Sequence, residues 1–400
     1  DKNSIGEIMF KEKIRQAIEI LKEQGVDMWM TFVRETETLP DPCMDLIVGT
    51  NCTWQSAFII TAKGQTIAIV GSLDKERIKQ TGLYDDVRIY VDDFGAAFLN
   101  ALNEINPNRI AINTSINDYM ADGLTHGLYE LLMGYTKNTP YRERFISSEK
   151  IVAALRGRKS PTEIQRIKRA IEITEKIYAE ISPQIKSGRT EKEIADIILK
   201  MVAELGVQTA WESNSCPAVF TGPLSAGAHA EPTERVIQPG HVLNIDFGVK
   251  KDGYCSDIQR TWYILRNNEE TAPEPVQKGF AVLLESVRRA VDAIRPGKMG
   301  YEIDQIARDY ITANGYPEFP HGLGHQVGRS THDGAGMLGP RWERYGDTVY
   351  LPLEIGQVFT IEPRLPIEGF GVATVEEMIV VTADGCEYLS HPQNQLFYSR

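Results

Sequence analysis

Apolar positions along the chain change rhythm once, near residue 150. Before that point, helical spacing and short strand-like runs alternate. A helical pattern runs from Phe10 to Glu23 and is stopped by Gly25, and a continuous apolar run from Met28 to Val33 reads as a buried strand. Ser56 to Ile60 and Thr66 to Val70 flank Lys63-Gly64 as a hairpin. Helices are expected near Asp93 to Ile105 and Tyr119 to Leu132, with a strand from Arg109 to Asn113 between them. This is the pattern of an α/β domain with short strands. It carries no phosphate-binding loop and no His/Asp/Glu cluster of metal-ligand type, so it reads as a structural or substrate-covering domain.

From Ser160-Pro161-Thr162-Glu163 onward the pattern is one of long amphipathic helices, with Ser160 as N-cap, Pro161 at the first helical position and Glu163 three residues on. The domain boundary is therefore placed near residue 150, giving domains 1–150 and 151–400. A second capping box, Thr190 to Glu193, opens a helix expected to end at Gly206. Laying Ile185 to Val207 over Ile294 to Tyr316 without a gap matches Ile185 with Ile294, Gly188 with Gly297, Glu193 with Glu302, Ile194 with Ile303 and Gly206 with Gly315. Each copy follows another helix and precedes β structure, so the second domain is expected to be α+β, built of two similar helix-sheet halves.

The β runs of this domain hold residues that do not belong in them. Asp246 stands inside the apolar run from His241 to Val249, and a Lys-Lys-Asp-Gly turn leads to Asp257 on the returning run, so the two carboxylates are expected to face each other on paired strands. Glu362 and Glu376 sit in later apolar runs, and His325 is set in Gly324-His325-Gln326-Val327-Gly328. Asp is depleted in strand interiors, and buried carboxylates are costly unless paired, hydrogen-bonded or bound to a cation.

Composition narrows the classes. With 42% apolar and 24% charged residues and a net charge of −12, the chain is an ordinary globular sequence and a poor match for nucleic acid or an anionic membrane surface. No apolar run approaches the roughly 18 residues needed to span a bilayer. Five widely spaced cysteines without a C-x-x-C pair favour a reducing compartment, and a cytoplasmic location is expected. The chain starts at Asp1 and not at a methionine, which leaves a removed leader open. The glycines from Gly322 to Gly328 follow prolines instead of a strand, so they form no dinucleotide fingerprint.

The order Asp246, Asp257, His325, Glu362, Glu376, with its Gly-His-x-x-Gly segment, resembles the metallopeptidase family of methionine aminopeptidase, aminopeptidase P and prolidase. The likeness covers roughly residues 150 to 400. The first domain is similar in length and texture to the N-terminal domain of the aminopeptidase P, prolidase and creatinase branch. The resemblance implies a pita-bread fold with pseudo-symmetric halves and a creatinase-like N-terminal domain. It also implies two divalent ions held by the five residues, and hydrolysis of the Xaa-Pro bond in short proline-containing peptides. In the family, residues at the positions of His229 and His332 hold the substrate carbonyl and amide and steady the tetrahedral intermediate, and Glu362 shuttles the proton. His321 is placed at the proline-side pocket. Oxygen-rich ligation with one imidazole suits Mn²⁺, with Co²⁺ or Zn²⁺ as replacements. The branch commonly forms a homodimer or higher oligomer.

One departure bears on specificity. Many prolidases and aminopeptidases P carry an arginine just before the last ligand, where this chain reads Gly371-Val372-Ala373-Thr374-Val375-Glu376. Arg364 and Arg329 are the alternatives for a substrate carboxylate. Two other functions are open at this level: a creatinase-like C–N hydrolase working without metal, and a non-catalytic interaction module on the same fold. The intact set of five weighs against both.

Overall fold

The computed structural model describes residues 2–223 and 230–400, with side chains from Ile8 onward, and the chain divides into two compact units between Thr162 and Glu163. Among the described residues no helix is long and apolar enough to cross a membrane.

The first unit is built on a six-stranded sheet in the order Asp86–Tyr90, Thr66–Gly71, Ser56–Thr61, Met28–Val33, Ile110–Ile112, Phe145–Ser147. Met28–Val33 pairs antiparallel with Ser56–Thr61 and parallel with Ile110–Ile112, and every one of its residues is buried. A strand covered on both faces reads as a continuous apolar run, which is how it shows in the sequence. Ile14, Leu21, Ile151 and Leu155 from helices Lys2–Gln24 and Glu149–Gly157 join one core with Trp29 and Phe58; Phe98, Leu102 and Leu132 join another with Met30 and Ile59.

The helix expected from Tyr119 to Leu132 is not continuous. A single 3-10 turn, Tyr119–Ala121, is followed by a helix His126–Tyr135 capped by Thr125. Between them a Cβ on Gly123 would fall 2.2 Å from Asp41 Oδ2, so the backbone must pass close to that buried carboxylate. Asp41 in turn accepts from Asn113 Nδ2 at 2.9 Å and from Cys43 N at 2.8 Å. Two strands the pattern did not reveal, Asp86–Tyr90 and Phe145–Ser147, lie at the two edges of the sheet, where partly exposed residues blur the alternation.

The second unit consists of two helix-helix-sheet halves. Pro161–Ile181 and Glu191–Glu204 open the first, Glu274–Ala293 and Gly300–Ala313 the second. The shorter helices start and stop with the same 109-residue offset. Thr190 N donates to Glu193 Oε2 and Met299 N to Glu302 Oε2, both at 2.8 Å. Gly188 and Gly297, at φ 92° and 86°, donate their N–H groups to Ile237 O and Leu353 O. Ile185, Ile194, Ile294 and Ile303 are all fully buried. The sequence repeat is thus a repeat of caps, turns and core positions.

In the first half, Val242–Phe247 runs antiparallel to both Ala218–Thr221 and Ile258–Ile264. In the second, Val358–Ile361 pairs antiparallel with Glu377–Val381, and Arg364–Ile367 with Gly371–Thr374. A bridge between Gln259 and Glu376 joins the two halves. Arg260 crosses the same junction, meeting Glu377 at 2.9 and 3.2 Å while donating to Glu376 O at 3.2 Å and His391 O at 2.8 Å. Both partners are buried, so loss of either would strand a charge in the core, at a cost of about 3–5 kcal/mol.

The turn at Asp252-Gly253 forms as expected, both residues having positive φ, 50° and 80°. Asp246 and Asp257 nevertheless do not sit opposite one another: Asp246 pairs with Gln259 and Phe247 with Ile258. The strand pair is interrupted where Gly248 meets Ser256, whose carbonyl oxygen would lie 1.9 Å from a Cβ at Gly248. Val249 N donates to Ser256 Oγ across the break at 2.9 Å, and Asp257 occupies the irregular step that follows.

Two glycine substitutions separate space from backbone conformation. Gly248→Ala forces a backbone shift at the break and is expected to cost roughly 2–4 kcal/mol. Gly297→Ala, where nothing lies within 4 Å of the new Cβ, meets only the left-handed φ and is expected to cost about 1–2 kcal/mol. Urea denaturation midpoints measure both, and equal costs would show that the break is not limited by space.

Candidate metal centre

A cavity of about 1040 Å³ opens between the sheets of the two halves. Its floor gathers Asp246, Asp257 and Gln259 from the first half with His325, Glu362 and Glu376 from the second. Glu362 directly follows strand Val358–Ile361, and Glu376 lies between strands Gly371–Thr374 and Glu377–Val381. Both acids stand at strand ends, where the side chain leaves the sheet for the cavity.

His325 is positioned by its neighbours. A Cβ on Gly324 would lie 1.8 Å from Thr360 O, so only glycine lets the backbone come this close to the Val358–Ile361 strand. His325 N then donates to Thr360 Oγ1 at 3.1 Å, and Nδ1 faces Gln326 O at 3.2 Å. With Nδ1 carrying the hydrogen for that carbonyl, Nε2 faces the acids: protonated it donates to Glu362, and deprotonated it offers its lone pair to a cation. Nε2 lies 3.1 Å from Glu362 Oε1, 3.6 Å from Asp257 Oδ2 and 3.9 Å from Glu376 Oε1. Atoms of Asp257, His325 and Glu376 fall within 4.8 Å of one another.

The charge balance is unfavourable as it stands. Asp246 Oδ1 and Glu376 Oε1 are buried without a hydrogen-bond partner. Burial, followed by the charge of Glu362, pushes Asp246 up from the ordinary carboxylate range. Burial and then Asp246 push Asp257 well up, and burial and then Asp257 do the same to Glu376. Glu362 goes the other way: burial opposes its charge, but the hydrogen bond and charge of His325 outweigh that and lower it. His325 is raised in turn, burial being outweighed by Glu362. Clustered oxygens without donors, three of four acids driven towards the neutral form, and an imidazole nitrogen aimed at them are the features a divalent cation would satisfy.

The other expected residues divide. His332 stands edge-on to His325, ring centroids 4.3 Å apart, and His321 lines the cavity beside Pro320 and Gly322. His229 lies outside the described residues. Arg364 lines the cavity, whereas Arg329 lies over the Tyr254 ring, 5.2 Å from its centroid. Burial lowers the Arg364 guanidinium from its ordinary value. Cys255 is fully buried and burial pushes its thiol up to about 12, in keeping with a small packing residue.

Gln259 and Thr374 escaped the sequence reading. Gln259 Nε2 donates to Glu376 Oε2 at 2.9 Å and reaches Glu362 Oε2 at 3.4 Å, while its Oε1 accepts from Thr374 Oγ1 at 2.8 Å. The available signal was alternation, since Gln259 stands two residues after Asp257 at the start of a strand.

The chain is similar to known proteins in sequence and fold. The model of Metallopeptidase family M24 matches residues 165–383. An uncharacterized peptidase of Staphylococcus aureus is 32% identical over 263 residues, which are 66% of this chain and 69% of the relative. The X-Pro aminopeptidase from Thermotoga maritima MSB8 superposes with a TM-score of 0.71 at 27% identity, over 96% of this chain and 99% of that one. The prolidase from Pyrococcus horikoshii OT3 gives 0.70 at 25% identity, over 96% and 100%.

The raised acids make a signed prediction. Without a cation, Asp246, Asp257 and Glu376 hold protons that the unfolded chain has lost above about pH 4, so stability falls as pH rises from that value towards their raised range. Glu362, lowered, contributes oppositely, one group against three. A bound dication removes the repulsion and its pH slope. The gain in Tm on adding Mn²⁺ to chelator-treated protein is therefore expected to be larger near pH 8 than near pH 5.5; a gain independent of pH would count against a cation at these acids.

Proposed function

The chain belongs to metallopeptidase family M24, and from that premise we propose that it hydrolyses the Xaa-Pro bond of short peptides with two divalent ions held by Asp246, Asp257, His325, Glu362 and Glu376. The observation that carries this reading is the convergence of four buried carboxylates and one imidazole, with unpartnered oxygens, on the floor of a single cavity. Four negative charges balance two dications, and the oxygen-rich donor set favours manganese. The X-Pro aminopeptidase and prolidase named above support the choice of substrate.

Bound there, the ions would supply Lewis-acid polarisation of the scissile carbonyl and a lowered pKa for the attacking water. The chain's own groups would do the rest. Glu362 Oε1 accepts from Thr360 Oγ1 at 3.2 Å and Oε2 has the longer contact to Gln259, and this carboxylate would take the proton of the attacking water and pass it to the leaving proline nitrogen. His332, beside His325, would donate to the carbonyl oxygen as its charge develops. Gln259 holds Glu376 in place through its amide, and Thr374 fixes the orientation of that amide. Proline is a tertiary amide of fixed φ with no N–H to satisfy, and Phe220, Met337 and His321 offer an apolar and aromatic wall for its ring.

Metal analysis after manganese supply, paired with hydrolysis assays with and without chelator, tests the proposal. About two ions per chain are expected, with activity lost on chelation and restored by Mn²⁺. Asp257→Asn and His325→Ala are each expected to lose at least one ion and to lower kcat roughly a hundredfold or more while remaining folded. Wild-type turnover in either variant would refute the ligand assignment, and a loaded enzyme that cleaves no Xaa-Pro peptide would refute the substrate.

A further inference from the structure

Arg364 is the only lysine or arginine among the described residues lining the cavity, and it is half-buried there. It opens strand Arg364–Ile367, whose alternation sends Leu365 and Ile367 into the core, Ile367 against Gly279, and leaves Arg364 on the cavity side. Across the ladder Arg364 pairs with Thr374, which also lines the cavity. Among the described residues no carboxylate lies within ion-pair distance of its guanidinium, although the cavity is rich in acids. Other arginines of this unit are committed: Arg260 to Glu377, Arg308 to Asp304, Arg288 to Glu285. A guanidinium taken partly out of water without an internal acceptor is costly, unless the acceptor arrives with the ligand.

We infer that Arg364 is the specificity-determining residue that binds the free C-terminal carboxylate of the substrate, making this chain a dipeptidase. The inference rests on the peptidase reading above and deepens it. Arg364 stands two residues after Glu362, so their Cα atoms are at most about 7 Å apart. In an Xaa-Pro dipeptide the free carboxylate lies one residue, about 3.5 Å, beyond the scissile bond, within the range covered by a guanidinium based this near Glu362 in the same cavity. Thr374, facing Arg364 across the ladder and two residues before Glu376, places this grip between the last two acids. The sequence departure has the same explanation: a cation is absent before Glu376 and present after Glu362, on the paired strand.

Calorimetry on the manganese-loaded enzyme separates the outcomes. The ligands are uncleavable reduced-bond analogues of Ala-Pro and Ala-Leu, each as free acid and as C-terminal amide. Wild-type enzyme is expected to bind the acid of Ala-Pro roughly ten- to a hundredfold more tightly than its amide. Arg364→Met should bring that ratio to about one by weakening binding of the acid more than that of the amide. Arg364→Lys should fall between them, because a point charge keeps the attraction but loses the planar fork; this variant carries the test if the methionine variant fails to fold. An acid preference that survives Arg364→Met, or no preference in wild type with either pair, overturns the inference. An acid preference that depends on Arg364 but is as strong for Ala-Leu as for Ala-Pro upholds the carboxylate grip and overturns the proline assignment.

Discussion

Four carboxylates are held together out of water, and the second unit is arranged around that cost. Each acid alone would pay a desolvation penalty of several kcal/mol, and the four repel one another. Within the protein the relief is partial: Gln259 donates to Glu376, His325 meets Glu362, and two buried oxygens are left with nothing. Held in this way, the cluster is a store of unfavourable energy that a bound dication would convert into binding affinity. Rigidity in the surroundings is therefore a requirement, because a soft frame would let the acids drift apart and find water.

The frame meets that requirement by bracing two halves against each other at the site itself. Asp246 and Asp257 come from one half, the other three ligand candidates from the second, and the bridge from Gln259 to Glu376 ties the strands between them. The Arg260–Glu377 pair lies one residue along each strand from that bridge, with Ser390 Oγ donating to Glu377 at 2.6 Å and Gln393 N at 2.9 Å. Being fully satisfied, it fixes register without adding to the charge imbalance nearby. The repeated helices behind each sheet, with matching caps and glycine turns, give both halves the same backing.

Much of this was legible before any coordinates, and the reasons differ by feature. Caps and glycine stops are local chemistry, so Thr190 to Glu193, the stops near Gly25 and Gly206, and the 109-residue repeat appear where expected. Acids inside apolar runs were visible because charge is rare there, and all four converge. Register was not legible: Asp246 and Asp257 were expected face to face, but contact between Gly248 and Ser256, which no propensity encodes, moves Asp257 past its partner. The break in the helix expected over Tyr119 to Leu132 has a similar origin in Asp41, far away in sequence. Gln259 remained hidden because a glutamine on a strand draws no notice until its amide is seen between two acids.

The four acids are not equivalent, and the difference comes from one neighbour. Asp246, Asp257 and Glu376 are surrounded mainly by each other and by apolar packing, so burial and mutual repulsion favour their neutral forms. Glu362 has His325 within 3.1 Å and Thr360 within 3.2 Å, and stays charged on its own account. A carboxylate that keeps its charge without external help can accept a proton and release it without disturbing the cluster, whereas one whose ionisation depends on a bound cation cannot do so freely. On the reading proposed above, the same asymmetry would separate positioning from proton transfer among the candidate ligands. It arises because Gly324 lets the strand carrying His325 pack against Thr360, which brings Nε2 within 3.1 Å of Glu362 and of no other acid so closely.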